Sequence, residues 1–372
     1  MFIQGSIKID NAASAKNYLL LAENASESKN YSDAENYSNK VIEINPNEAK
    51  AWFIKGKAAG WQSTVANLRL QETVNCFENA ISMSGNDEVF KEMVHKELKD
   101  ILMASLLLAD EHYINYPSTE NAKIVLAIAD TSINLYKTFI TNHELENDSF
   151  NKDVMGQVIY AVMTAFYKKI LPDYNGNDEH PTNFALEEFS QRVVAADVLL
   201  EHSLTIDDDK KLQILAHESR IKILTAKESS KSYRIGSGGS WEVDRCPTDE
   251  AKKTIIDMIM DSHNKIKELN PDYKVPARPS PTSNGCYIAT AVYGSYDCPE
   301  VWVLRRFRDY TLAKSRYGKA FISVYYAISP TFVRYCGKAK PFKMFLKPLL
   351  DTMVKSLKQK GVDDAPYNDK HW

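Results

Sequence analysis

Chemistry in this 372-residue chain would have to come from five cysteines, eight histidines and a dense C-terminal set of Lys and Arg. The sharpest single candidate is Cys286. A thiol at a helix start has its thiolate stabilised by the helix dipole and by nearby cations, and the small residues Ala289, Thr290 and Ala291 beyond it read as such a helix. A nucleophile also needs a base. The histidine that follows Cys286 is His371, and His95, His112, His143, His180, His202, His217 and His263 fall on earlier stretches. The expectation for Cys286 is therefore a buried structural thiol, with a thiol-dependent enzyme as the alternative in which it is the nucleophile.

Cys76, Cys246, Cys286, Cys298 and Cys336 are odd in number and widely spread, with no C-x-x-C pair. Reduced thiols and no metal site are expected from that pattern. Gly236-Ser237-Gly238-Gly239-Ser240 lacks the following Gly-Lys-Ser/Thr of a phosphate cradle. The carboxylates offer no pair whose surroundings would separate their pKa values, as acid/base catalysis on sugars requires. No cofactor is expected.

Charge is the stronger signal. The net charge is −3, yet Val303 to Lys360 holds 14 Lys/Arg against Asp309 and Asp351 alone, so this segment is +12 and the remainder −15. Such asymmetry points to docking of the two parts or to an anionic partner. Arg305, Arg306 and Arg308 crowd one turn, and Lys343 and Lys347 follow on an amphipathic stretch, Pro341 to Gly361, whose apolar face carries Phe342, Phe345, Leu346, Leu349, Leu350, Met353 and Leu357. These five cations are the expected face for an anionic partner. The stretch suits an anionic membrane surface and equally the acidic body of the chain; Pro348 interrupts the membrane version, which favours docking. The aromatics follow core-like helical spacing without a nucleic-acid motif, so protein contacts are favoured over nucleic acid.

The elements that must position these residues are helical. From Asn17 to Pro46, Tyr18, Leu21, Ala22, Ala25, Ala34, Val41 and Pro46 mark a helix-turn-helix, and a second unit starts at Ala49 with Trp52 and Gly56 and finishes with Phe77 and Ala80. These offsets resemble the tetratricopeptide repeat, the second copy carrying about five extra residues before its second helix. Helical patterns continue over Asp87–Tyr113, Ser118–Asn142, Phe150–Leu171, Thr182–Ser203, Asp207–Lys227 and Thr248–Leu269, several with Ser, Thr or Asp where a cap belongs. Ser229 to Cys246 reads as a flexible loop and the proline-bearing Asn270 to Gly285 as a linker. No strand-rich region is expected.

Beyond the linker runs Gly285-Cys286-Tyr287-Ile288-Ala289-Thr290-Ala291-Val292-Tyr293-Gly294-Ser295, followed by Pro299-Glu300-Val301-Trp302-Val303-Leu304-Arg305-Arg306-Phe307-Arg308-Asp309 and the aromatic segment to Pro330. This resembles the CFI-box C-terminal domain of bacterial proteins, with Tyr287 in place of the Phe. The resemblance implies a bacterial source and a C-terminal module, and no particular reaction.

The expected fold is all-α: a tetratricopeptide-like helical-hairpin superhelix followed by a small helical C-terminal module. The expected organisation is 1–85 repeats, 86–269 further helical array, 270–285 linker and 286–372 basic aromatic module. Stacked helix pairs make grooves that suit binding more than chemistry. The expected function is therefore a non-enzymatic scaffold or adaptor gripping a protein or peptide, with Asn17, Asn24, Lys50 and Lys57 lining the groove. A peripheral membrane protein held by the basic C-terminal helix is a further alternative. The opening Met1-Phe2-Ile3-Gln4-Gly5-Ser6 lacks a secretory signal and no apolar run reaches the roughly 20 residues of a membrane span. The expected location is the cytoplasm, on the inner face of the membrane if peripheral.

Overall fold

The structure, a computed structural model, describes residues 7–85, 87–146, 149–176, 180–236, 239, 241–276, 278, 287–293, 298–315, 318–319, 321–322, 324–325 and 340–365. The fold is all-α, with one small β-hairpin among the described residues. The chain divides into two compact units, Met1–Cys246 and Pro247–Trp372.

The first unit runs α1 (Ile7–Glu27), α2 (Tyr31–Ile44), α3 (Ala49–Trp61), α4 (Leu70–Met83), α5 (Glu88–Asn115), α6 (Thr119–Asn142), α7 (Phe150–Ala165) and α8 (Leu171–Asn175), then α9 (Asn183–Ser203) and α10 (Lys210–Glu228). A π-helical turn, Phe166–Ile170, joins α7 to α8. The helices begin where side chains satisfy the orphan amides of a first turn. Ser118 Oγ accepts from Asn121 N at 3.2 Å, Thr182 Oγ1 from Ala185 N at 3.2 Å, and Asp209 Oδ1 from Lys211 N and Leu212 N at 3.0 and 3.1 Å.

Apart from α7 and α8, which run on through the π turn, consecutive helices of the first unit pack on each other. α1, α3, α5, α7 and α9 also touch one another in sequence, as do α4 and α6, the stacking that winds helix pairs into a superhelix. Small residues make the close approaches. A Cβ on Gly56 would lie 2.7 Å from the Phe77 ring and 2.9 Å from Cys76 Cβ, and one on Gly60 would lie 2.6 Å from Ile101. Gly156, in the middle of α7, has nothing nearer than Leu212 at 3.9 Å. Two alanine substitutions should therefore part in sign. Gly56→Ala overpacks the α3–α4 contact and costs about 1–3 kcal/mol, whereas Gly156→Ala gains about 0.5–1 kcal/mol from helix propensity. Urea midpoints of the two variants, moving in opposite directions from wild type, check this.

The extra residues between α3 and α4 are stapled rather than loose. Arg69 forks onto Glu35 of α2, with Nη1 and Nη2 at 2.9 and 2.6 Å from its two oxygens, and reaches Glu72 through Nε at 2.8 Å. Gln62 Nε2 adds a bond to Glu35 at 2.8 Å. Arg69 first, and Gln62 with it, hold the Glu35 carboxyl below the usual carboxylate range despite partial burial.

Ser229 to Cys246 departs from the loop expected of it. β1 (Ser232–Ile235) pairs antiparallel with β2 (Trp241–Arg245), with Tyr233 opposite Val243 and Ile235 opposite Trp241. The Tyr, Ile, Trp and Val on either side of the Gly/Ser run supply the β-favouring side chains of the two strands. Tertiary contacts fix the hairpin: Tyr233 N donates to Pro181 O at 2.8 Å, and His180 stacks on the Trp241 ring with centroids 4.6 Å apart.

The second unit opens with α11 (Asp249–Leu269), capped by Thr248, which buries Ile255, Ile256, Ile259 and Ile266. α12 (Tyr287–Tyr293), α13 (Pro299–Tyr310) and α14 (Lys340–Gln359) follow. Pro299 occupies the first turn of α13, where its missing N–H costs nothing. α12, α13 and α14 pack on one another around Ala289, Val301, Val303, Leu304, Val354 and Leu357.

Candidate functional site

The row α1–α3–α5 presents the four expected groove residues. Asn17, Asn24 and Lys50 are exposed and Lys57 is half-buried. Ion pairs lock the row edge to edge: Lys50 Nζ lies 3.1 Å from Glu23 of α1, and Lys57 Nζ 3.0 Å from Glu97 of α5. Trp61 donates its Nε1–H to the other Glu97 oxygen at 2.6 Å and stacks on Tyr31 at 6.2 Å. Spacing of three, four or seven residues puts side chains on one helical face. Asn17, Leu20 and Asn24 therefore share a face of α1, Lys50, Lys57 and Trp61 a face of α3, and Glu97, Ala104 and Leu108 a face of α5. Leu20 is 56% exposed, Trp61 39% and Leu108 43%. The sequence reading missed the two leucines, whose signal was an apolar residue beside the buried stripe rather than in it.

The five cations expected to form one anionic-partner face are placed apart. Arg305 is 2% exposed and Arg308 5%, both interior residues of the second unit. Arg308 grips Asp309 through Nε and Nη2, and the Asp309 side chain is fully buried. Arg306 donates to the carbonyl oxygens of Asp363 and Ala365 at 3.0 and 2.6 Å. Lys347 is exposed and pairs with Asp351 at 3.0 Å, while Lys343 is described by its helical backbone alone. The reason is positional: Val301, Leu304 and Arg308 repeat at helical spacing, so the stripe that buries the first two carries Arg308 inward, and Asp309 is there to receive it. On α14, Val354 and Leu357 are buried in the core against α12 and α13, whereas Leu349 and Met353 stay exposed.

Cys286 lies outside the described residues, as do Cys336 and His371. Cys76 is buried, and burial pushes its thiol up to about 11. Burial likewise raises the Cys298 thiol, with Glu300 adding to the rise. Both therefore favour the protonated, unreactive form. Among the described residues no group of three His, Cys, Asp or Glu is gathered for a metal, and no helix is long and apolar enough to cross a membrane.

Asp110 is the titratable residue that sequence reasoning passed over. It stands on α5 between Leu106, Ala109 and Tyr113, is 1% exposed, and neither carboxylate oxygen has a partner at hydrogen-bonding geometry. The Tyr113 hydroxyl is also buried without a partner. Burial pushes the Asp110 carboxyl up to about 7; Gln157 on α7 opposes the rise without forming a full bond. An acid within the apolar stripe of a long helix was the visible sign.

Compared with models of protein families and with curated proteins, the chain matches none.

Proposed function

We propose that the chain is a non-enzymatic interaction protein whose α1–α3–α5 surface grips a protein or peptide segment. The observation that carries this reading is the row itself: three helices tied by Lys50–Glu23, Lys57–Glu97 and Trp61–Glu97, so that exposed apolar and polar side chains stand on a pre-organised support. Rigid support lowers the ordering cost of binding. Exposed Leu20, Trp61 and Leu108 offer apolar contact surface, while Asn17, Asn24 and Lys50 offer hydrogen bonds and charge. The likeness of the first two helix pairs to the tetratricopeptide repeat, whose inner helices line a groove, supports the same surface. The C-terminal module, like the CFI-box domain it resembles, is read as a docking or anchoring piece in the cytoplasm. Val354 and Leu357 of α14 are buried against α12 and α13 of its own unit, which leaves less of its apolar face for a membrane surface.

The test is affinity capture from a bacterial lysate with full-length wild type and with the surface variant Leu20→Ser plus Leu108→Ser. Both positions are exposed, so the variant should fold as wild type does. Proteins retained by wild type and lost tenfold or more with the variant are the expected result. Identical captures, or nothing captured above bead background, would remove this surface as the binding face.

A further inference from the structure

A cavity of about 280 Å3 opens in the C-terminal unit, walled by α12, α13, α14 and by Leu312, Phe321, Ile322 and Tyr325. Ten of the twelve described residues that line it are apolar, among them Leu304, Phe307, Ile322, Leu346, Leu350 and Met353. The cavity is open to solvent on one side, and apolar surface left against water is stabilised by an apolar occupant that covers it. Water is a poor one, because a buried water needs two to four polar partners. The two polar side chains on the wall are engaged elsewhere: Arg308 holds Asp309 through Nε and Nη2, and the Tyr325 hydroxyl accepts the Ile288 N–H at 3.1 Å. Among the described residues the wall therefore presents hydrocarbon.

From this geometry we propose that the cavity is a binding site for a single aliphatic chain of about ten carbons. An apolar void of about 150 Å3 stays dry and accepts benzene; nearly twice that volume takes a chain nearly twice as large. Leucine and isoleucine side chains with the flexible thioether of Met353 form a wall that adapts to an unbranched chain. Phe321, 59% exposed, and the partly exposed Met353 stand where the cavity meets solvent, so a chain enters from the surface with its head group outside. This site is independent of the α1–α3–α5 surface, and neither stands or falls with the other.

The experiment titrates the full-length protein with 1-decanol, with decanoate, and with vesicles of didecanoyl phosphatidylglycerol, reading stoichiometry by calorimetry and Tm by thermal unfolding. Expected is saturable one-to-one binding of the free amphiphiles with a Tm rise of about 3–6 °C at saturation; a response to vesicles alone would assign the chain to a phospholipid. Met353→Trp at the mouth and Leu350→Phe inside should each abolish the rise, and Leu349→Ser, an exposed position that does not line the cavity, should leave it intact. Because the two blocking variants alter different parts of the wall, failure of one to fold leaves the other as the test. No Tm response to any of the three probes, or a response that both blocking variants retain, overturns the proposal.

Discussion

Arg220→Ala should destabilise the N-terminal unit by about 3–5 kcal/mol, because it strands a carboxylate in the interior. Arg220 of α10 meets Asp197 of α9 side on, with Nε 2.7 Å from Oδ1 and Nη2 3.2 Å from Oδ2. The two side chains are 7% and 8% exposed, and Glu201 stands 3.7 Å from the same guanidinium. Planar bidentate geometry makes this a strong pair once both charges are out of water, yet most of the effect of truncation comes from the partner left behind. The control separates the two. Replacing both charges by apolar residues of similar size, Asp197→Leu with Arg220→Met, removes the desolvation cost along with the attraction and should land within about 1–2 kcal/mol of wild type. Urea denaturation followed by circular dichroism measures all three proteins. If the single and double variants lose stability equally, the pair is a net source of stability and the reasoning from stranded charge is wrong.

The same pair marks the limit of what the sequence discloses. Local signals were legible, because they act within a few residues of the chain. Ser118, Thr182 and Thr248 cap the helices they precede, Pro299 sits in a first turn, and the Gly56 and Phe77 of the second helix pair meet face to face. The β-hairpin was missed because Ser232–Ile235 alternates over only four residues, too few to separate from irregular chain, and its stability comes from His180 and Pro181 some fifty residues earlier. Charge was misplaced for a related reason. A sum over Val303 to Lys360 cannot tell a solvated arginine from Arg305 or Arg308, whose burial depends on which side of α13 the module covers. Groove lining was partly readable, since Lys50 and Lys57 fall on one face of α3, but their carboxylate partners Glu23 and Glu97 lie 27 and 40 residues away and only the stacking of alternate helices brings them near.

Asp110 gives the expected pH signature of the N-terminal unit. Its folded-state pKa is raised to about 7 from an ordinary value of 3.8, so between those pH values the folded protein keeps a proton that the unfolded chain has released. Stability then falls as pH rises through this window and levels off above it, the opposite of the usual salt-bridged carboxylate. Three pH units at about 1.4 kcal/mol each set an upper bound near 4 kcal/mol, and an expected effect of about 2–4 kcal/mol follows for a carboxyl buried this deeply. Asp110→Asn keeps the shape of the neutral acid and cannot ionise. The variant should match wild type at pH 4, where the native carboxyl is protonated in the folded state, and exceed it by that margin at pH 8. Unfolding free energies of both proteins across pH 4–8 give the comparison, and taking the difference cancels every other titrating group they share. A constant offset between the curves would mean that Asp110 is solvated or partnered in solution, and that the α5–α7 seam is looser than its packing indicates.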